Sequence, residues 1–150
     1  MEKFKGLGVA MVTPFNADGS IDYLGLERLT NHLVDGGVNY LVVMGTTGEN
    51  PTINNEEQQA ILQKVKEINA RRLPIVFGIG GNSTAAVVDR LKAENLEGVD
   101  GILCVSPYYN KPSQEGIYQH YKAVSDATPR PVIMYNVPGR TGSLVSAETT

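Results

Sequence analysis

The chain has 150 residues, of which 41% are hydrophobic and 19% are charged, a composition that fits one globular domain with a buried core. Its net charge of −3 and its pI of about 5.4 argue against a partner made of nucleic acid or an anionic membrane surface. A single cysteine, Cys104, excludes a disulfide framework and a cysteine-based metal site within one chain. We expect a cytoplasmic protein with no targeting segment and no membrane span.

Five short apolar runs predict five strands, at about 7 to 13, 39 to 44, 74 to 79, 100 to 105 and 131 to 135. Runs such as 41–44, 75–77 and 132–135 are continuously apolar rather than alternating. That pattern is typical of strands covered on both faces of a parallel sheet.

Helical patterns lie between the apolar runs. Residues 54 to 70 begin with Asn54 as an N-cap and Glu57 three positions later, and their apolar stripe contains Ile61, Leu62, Val65 and Ile68. Residues 113 to 127 begin with Ser113 as an N-cap, and their stripe contains Ile117, Tyr118, Tyr121 and Val124. Glycines at 36, 37 and 98 fall between helical segments and strands, where we expect left-handed C-terminal residues.

Strand starts recur every 26 to 35 residues, and each connection is long enough for one helix, so consecutive strands should run parallel. Two α/β architectures accept this repeat. One is the (β/α)8 TIM barrel, of which residues 1–150 would form the N-terminal part, roughly the first four and a half βα units. The other is a five-stranded flavodoxin-like domain. Residues 146–150 look like a helix start that stops after one turn, so we expect the chain to be a fragment of a longer one.

Polar side chains follow the predicted strands, at the carboxyl ends where both architectures place ligands. They include two threonines after the second strand, two tyrosines after the fourth, and a tyrosine, an amide and a guanidinium after the fifth: Thr46, Thr47, Tyr108, Tyr109, Tyr135, Asn136 and Arg140. Hydroxyls with a guanidinium and few acids suit a small carboxylated carbonyl compound. Glu49 is a candidate general base, but we expect it to be a structural carboxylate bonded to loop amides.

Two other features of the sequence do not indicate a functional site. The segment from Gly78 to Ser83 begins like a dinucleotide fingerprint but lacks its third glycine, so we expect no nucleotide site. His32 and His120 lie in helical segments without a second ligand at useful spacing, so we interpret them as surface or packing residues.

Three motifs in order resemble the dihydrodipicolinate synthase family, also called 4-hydroxy-tetrahydrodipicolinate synthases: Gly-Thr-Thr-Gly-Glu at 45–49, Pro-Tyr-Tyr-Asn-Lys-Pro at 107–112 and Tyr-Asn-Val-Pro-Gly-Arg-Thr-Gly at 135–142. The resemblance covers the whole chain. N-acetylneuraminate lyase and keto-sugar-acid aldolases, in the same pyruvate-dependent class I aldolase superfamily, share the first motif. The paired tyrosines before Asn110 and the segment around Arg140 favour the synthases.

The resemblance implies a lyase of lysine and diaminopimelate biosynthesis that condenses pyruvate with L-aspartate 4-semialdehyde through a lysine Schiff base. It implies no metal and no cofactor. Thr47 would bind the pyruvate carboxylate, Thr46, Tyr109 and Tyr135 would form a proton relay, and Arg140 would bind the semialdehyde carboxylate. The family typically forms homodimers or homotetramers, with Tyr109 crossing the tight-dimer interface.

Two departures from the family pattern follow. No lysine of this chain stands where the Schiff base forms, since the family places it on a sixth strand, past residue 160. We therefore expect the 150-residue chain to be inactive by itself, or to be a non-catalytic half-barrel. In lysine-inhibited members a glutamate helps to bind the effector at the position of Ala86, so we expect weak or absent lysine inhibition.

Overall fold

A computed structural model describes residues 2–150. Its strands are β1 (Gly8–Ala10), β2 (Tyr40–Val43), β3 (Ile75–Gly78), β4 (Gly101–Val105) and β5 (Val132–Tyr135). Its helices are α1 (Tyr23–Asp35), α2 (Asn55–Asn69), α3 (Thr84–Ala93), α4 (Gln114–Asp126) and α5 (Pro138–Thr141). Short 3₁₀ turns occupy Glu2–Phe4, Thr46–Gly48, Asn50–Thr52 and Ala147–Thr149. The predicted strands are confirmed, each within a few residues of its expected ends.

The described residues divide into two compact units. The first extends to Gly78 and includes Gly98–Asp100. The second comprises Ile79–Glu97 and Gly101–Thr150.

The first unit is a three-stranded parallel sheet in which β2 lies between β1 and β3. Gly8 of β1 is opposite Tyr40 of β2, and Leu41 of β2 is opposite Ile75 of β3. In a flavodoxin-like domain the first strand would instead lie between the second and third. The pairing of β2 with β3 therefore excludes that alternative, whereas strands that follow chain order are expected for a barrel.

Helices α1 and α2 cover this sheet. Their buried side chains join those of the strands in one apolar core: Leu26, Ile61, Leu62, Val65, Leu41, Val43, Ile75, Val76 and Phe77. Full burial of each such side chain stabilises the fold by about 1.5 to 3 kcal/mol. The predicted capping box begins α2, because the Asn54 side chain accepts from the Glu57 N–H at 2.9 Å and the Glu57 carboxylate accepts from the Asn54 N–H at 3.0 Å.

The second unit contains the parallel pair β4 and β5, with Val105 opposite Tyr135 at its end. Helix α4 begins at its predicted cap, Ser113, and buries Ile117, Tyr121 and Val124. Tyr118 is 48% exposed, so its predicted place on the buried stripe is wrong. It follows Ile117 directly, and consecutive helical positions are about 100° apart, which turns Tyr118 away from the core.

Helix ends follow the predicted pattern only in part. Gly37, just after α1, has a left-handed φ of 78° as expected. Gly98 also has a positive φ, of 75°, but α3 ends at Ala93, so this glycine forms a later turn rather than a helix end. Residues 138–141, predicted as loop, form the single turn α5, and the expected helix start near Ser146 is one 3₁₀ turn. No helix within residues 2–150 is long and apolar enough to cross a membrane.

Candidate active site

The turn that follows β2 carries Thr46 and Thr47 on one 3₁₀ turn. Two residues with left-handed backbones flank it: Met44, with a φ of 58°, and Glu49, with a φ of 57°. Non-glycine residues rarely adopt this conformation, and where they do they cluster at functional sites. The segment from Met44 to Glu49 therefore has a strained geometry that its surroundings must hold.

Hydrogen bonds from neighbouring segments hold this turn in place. The Thr13 hydroxyl, which is buried, donates to the Gly48 carbonyl at 2.7 Å. The Asn50 amide donates to the Met44 carbonyl at 2.9 Å and to the Gly78 carbonyl at 3.3 Å. Gln58 of α2 donates in turn to the Asn50 carbonyl at 2.9 Å. The two threonines thus stand on a preorganised backbone rather than on a mobile loop.

Sequence reasoning missed the supporting role of Gly78. A Cβ atom at this position would lie 2.0 Å from the Met44 carbonyl oxygen, so no other residue fits without moving the turn. The sequence signal was a glycine at the end of an apolar strand. Only the neighbouring turn shows what that glycine accommodates.

The hydroxyl groups of Thr46 and Thr47 are exposed and have no hydrogen-bond partner among the described residues. They are available to a ligand that accepts hydrogen bonds, such as a carboxylate. The Glu49 carboxylate is also exposed and has no such bond within residues 2–150, so the expectation that it binds loop amides is wrong. Its left-handed backbone turns the chain from one 3₁₀ turn into the next and leaves the side chain in solvent.

In the second unit, the loop after β4 presents Tyr109 to solvent. Tyr109 is 88% exposed and has a φ of 74°, and the Asn110 N–H donates to the Tyr108 carbonyl at 2.9 Å. A bond between residues two apart around a positive φ defines a γ-turn of the rare, strained kind. Such strain costs on the order of 1 to 3 kcal/mol and persists only where neighbouring contacts maintain it.

A buried hydrogen-bond network supports the base of this loop. The hydroxyl of Tyr121 on α4 donates to the Cys104 carbonyl at 3.0 Å and lies 3.1 Å from the Ser106 hydroxyl. Burial raises the pKa of Tyr121 to about 12, and the bond with Ser106 opposes that shift. The phenol therefore stays protonated and keeps the end of β4 fixed just before Tyr108 and Tyr109.

The loop after β5 carries the remaining predicted residues. Tyr135 is the last residue of β5, is half-buried, and has no side-chain hydrogen bond among residues 2–150. Arg140 lies in α5 with an exposed guanidinium that forms no ion pair with any described residue. Both groups can therefore hydrogen-bond to a ligand. The phenol can donate or accept a hydrogen bond, and the guanidinium can donate two parallel hydrogen bonds.

The sequence predicts that the side-chain amide of Asn136 faces a ligand, and this prediction is wrong. Both polar atoms of the amide instead bond to the backbone of Val145. Within residues 2–150, no group of three or more histidine, cysteine, aspartate or glutamate side chains is arranged to hold a metal ion.

The fold defines a class: the chain has the strand–helix repeat of the (β/α)8 barrels and covers about half of such a barrel. Barrels of this class bind ligands at the carboxyl ends of their strands, where the predicted site residues stand. The dihydrodipicolinate synthetase family model matches residues 3–150, so the chain belongs to that family.

Individual relatives agree with this assignment. The 4-hydroxy-tetrahydrodipicolinate synthase of Parabacteroides distasonis is 56% identical over 97% of this chain and 49% of its own length. The chloride-inhibited dihydrodipicolinate synthase of Acinetobacter baumannii, solved with pyruvate, is 45% identical with a TM-score of 0.92 over 96% of this chain and 50% of that one. A dihydrodipicolinate synthase described as the first monomeric variant is 45% identical, with a TM-score of 0.93. The match covers 99% of this chain and 49% of that one. The chain spans about half the length of the relatives it matches.

Proposed function

We propose that the complete protein containing this chain condenses pyruvate with L-aspartate 4-semialdehyde, through a lysine Schiff base, to 4-hydroxy-tetrahydrodipicolinate. This is a lyase-type step of lysine and diaminopimelate biosynthesis in the cytoplasm, and it needs no cofactor. The observation that carries the proposal is the anchored turn after β2, which presents two unpartnered hydroxyls, Thr46 and Thr47. Family membership and the pyruvate-bound relative support it.

Each predicted site residue has a proposed role. Thr47 binds the pyruvate carboxylate, because its free hydroxyl and the turn's amides are donors that a carboxylate accepts. Thr46, Tyr109 and Tyr135 pass protons, since imine formation, enamine attack and cyclisation each move one, and hydroxyl groups can both donate and accept. Arg140 binds the semialdehyde carboxylate through its unpaired guanidinium.

The nucleophile of this proposal is a lysine outside these 150 residues. A Schiff-base lysine must be desolvated so that its amine is partly unprotonated near neutral pH. All seven lysines of the chain (Lys3, Lys5, Lys64, Lys66, Lys92, Lys111 and Lys122) are exposed or half-buried. We therefore also propose that residues 1–150 are part of a single (β/α)8 barrel domain and are inactive without the rest of it.

The proposed assembly is a homodimer or a homotetramer in which Tyr109 reaches the partner's site. Its exposure and its strained γ-turn support the proposal, because a large aromatic side chain held into solvent is suited to an interface. Sedimentation velocity of the complete protein should give a dimer or tetramer, and Tyr109→Ala should weaken it. A monomer at micromolar concentration, like the monomeric relative, would contradict the assembly but leave the reaction open.

The reaction itself is tested by supplying pyruvate and L-aspartate 4-semialdehyde to the complete protein and following loss of both substrates. Borohydride with labelled pyruvate should give one covalent adduct per chain. Arg140→Ala should raise the KM for the semialdehyde and leave pyruvate trapping intact. Cleavage of N-acetylneuraminate or of a keto-sugar acid, without condensation, would assign the protein to a sister lyase instead.

A further inference from the structure

The side chain of Asn136 closes the loop that carries Arg140. Its Nδ2 donates to the Val145 carbonyl at 3.3 Å, and its Oδ1 accepts from the Val145 N–H at 3.2 Å. Both polar atoms of one amide therefore pair with both backbone groups of one residue, as a neighbouring strand would. Val145 itself is buried, so it provides a fixed point for the far end of the loop.

Inside this closure, short-range hydrogen bonds form the turn around Arg140. The Arg140 N–H donates to the Val137 carbonyl at 2.8 Å, and the Gly142 N–H donates to the Pro138 carbonyl at 2.9 Å. The buried Thr141 hydroxyl bonds to the Ser143 carbonyl at 2.8 Å. These bonds shape the turn but do not tie it to anything beyond the loop.

The outer end of the loop has a second tether, from α4. Gln114 donates to the Leu144 carbonyl at 2.7 Å and accepts from the Ser146 N–H at 3.0 Å. Nearer the middle of the loop, the Thr141 hydroxyl lies within hydrogen-bond distance of the Val137 carbonyl, at 3.3 Å, and of the Ser143 carbonyl. Among the described residues, the side chain that joins the first residue of the loop directly to Val145 is that of Asn136. The Arg140 guanidinium meanwhile has no partner of its own, so its direction depends on where the turn is held.

We propose that Asn136 is the positioning residue of Arg140: it does not touch substrate, and it acts by holding the loop in the geometry from which the guanidinium binds a carboxylate. The role of Arg140 rests on the proposed function. A forked, bidentate contact tolerates little displacement, so freeing the loop weakens binding at Arg140 without altering chemistry elsewhere. This separates Asn136 from Thr46, Thr47 and Tyr135, whose polar groups are unpartnered.

Limited trypsin digestion tests, without any assay of activity, whether Asn136 holds the loop that carries Arg140. Trypsin does not cut before proline, and both Lys111 and Arg130 precede one, so in this region cleavage between Arg140 and Thr141 reports the loop. Asn136→Ala should raise the rate of this cleavage roughly tenfold, as expected for the loss of two ordinary hydrogen bonds. The matched control is Asn95→Ala, which removes a bond to the Glu97 N–H in a distant turn and should leave the rate unchanged.

Kinetics of the complete enzyme test whether Asn136 acts through Arg140. Asn136→Ala should raise the KM for the semialdehyde roughly tenfold and change pyruvate trapping less than about twofold. In an Arg140→Ala background the same change should have no further effect on that KM. Full additivity of the two changes, an equal loss of pyruvate trapping, or unchanged cleavage at Arg140 would each overturn the proposal.

The experiments distinguish a wrong proposed function from a wrong positioning role of Asn136. If the unmodified complete protein neither traps pyruvate nor consumes the semialdehyde, the proposed function is wrong. The rate of cleavage at Arg140 then still decides whether Asn136 holds the loop.

Discussion

Thr84 at the start of α3 and His120 in the middle of α4 are joined by a hydrogen bond of 2.9 Å between the Thr84 hydroxyl and His120 Nδ1. On its other side, His120 Nε2 lies 3.7 Å from the sulfur of Cys104 on β4. The imidazole is buried. One histidine therefore connects two helices and a strand of the second unit, and its interpretation as a packing residue is confirmed, whereas His32 is exposed.

The His120 contacts predict that acid destabilises the protein. Burial lowers the pKa of His120, so the folded state binds fewer protons than the unfolded state, in which the pKa is about 6.5. The free energy of unfolding should therefore fall as pH drops below about 6.5, down to the folded pKa. Urea denaturation between pH 8 and pH 5 measures this slope. His120→Gln should flatten it and His32→Gln should not; an equal slope in all three proteins would contradict the prediction.

Cys104 should be unreactive until the protein unfolds. Burial raises the pKa of its thiol to about 12, and the thiolate is the reactive form. Because Cys104 is the only cysteine among these 150 residues, labelling of the 150-residue chain by a thiol reagent such as Ellman's reagent has one source. We expect labelling at the rate of unfolding in buffer and at once in urea. Ser125→Cys, which adds an exposed thiol, should label immediately; fast labelling of the unmodified protein would refute this prediction.

The capping box of α2 should contribute measurably to stability. Asn54→Ala removes the acceptor for the Glu57 N–H and should lower the free energy of unfolding by about 1 kcal/mol. The neighbouring exposed Asn55 forms no part of the box, so Asn55→Ala serves as the control and should change stability by less than about 0.5 kcal/mol. Thermal or urea unfolding followed by circular dichroism compares the two. Equal effects would show that the cap is not the cause.

The 150-residue chain should form no Schiff base. None of its lysines is buried, and the pKa of Lys122 is raised by its hydrogen bond with Asp126, which is opposite to what a nucleophilic amine needs. Borohydride reduction with labelled pyruvate, followed by mass spectrometry, should find no adduct. Stable modification of any lysine in the native chain, absent after denaturation, would defeat this expectation.

The complete protein, if it has the proposed activity, should be weakly inhibited by lysine or not at all. Ala86 is exposed on the first turn of α3. This is the position at which the family resemblance leads us to expect a glutamate in lysine-inhibited members. Without that carboxylate, a bound ammonium loses a charge-assisted bond of roughly 1.5 to 3 kcal/mol. An assay with millimolar lysine measures inhibition, and Ala86→Glu should increase it. Strong inhibition of the unmodified enzyme would contradict the prediction.

Local chemistry explains the elements that were predicted correctly. Continuous apolar runs such as that around Val76 indicate buried parallel strands, and the Asn54 and Ser113 caps mark helix starts, because these signals depend on neighbours within a few positions. Tyr118 and Glu49 were misjudged for the same reason. A local pattern does not reveal whether a residue at the edge of a helix's apolar stripe, such as Tyr118, is covered by a neighbouring element. Nor does it reveal whether a carboxylate such as that of Glu49 lies within hydrogen-bond distance of a loop amide.

The candidate site likewise has features that local motifs predict and features that depend on distant segments. Motifs at strand ends identified Thr46, Thr47, Tyr109, Tyr135 and Arg140 as candidates, and the structure leaves the polar side-chain groups of all five without partners among residues 2–150. Their catalytic roles stay predictions. The sequence did not reveal that Asn136 bonds to Val145 or that Gly78 makes room for the Met44 carbonyl, because each relationship joins segments distant along the chain.

By itself, the amino-acid sequence determined the repeating βα unit, the family and the residue types at the strand ends, since periodicity, capping and motif spacing are properties of short segments. Only the tertiary structure decided the order of β1, β2 and β3, the strained γ-turn at Tyr109 and the hydrogen bond between Thr84 and His120. These features depend on which distant groups meet and which polar atoms must pair once water is excluded.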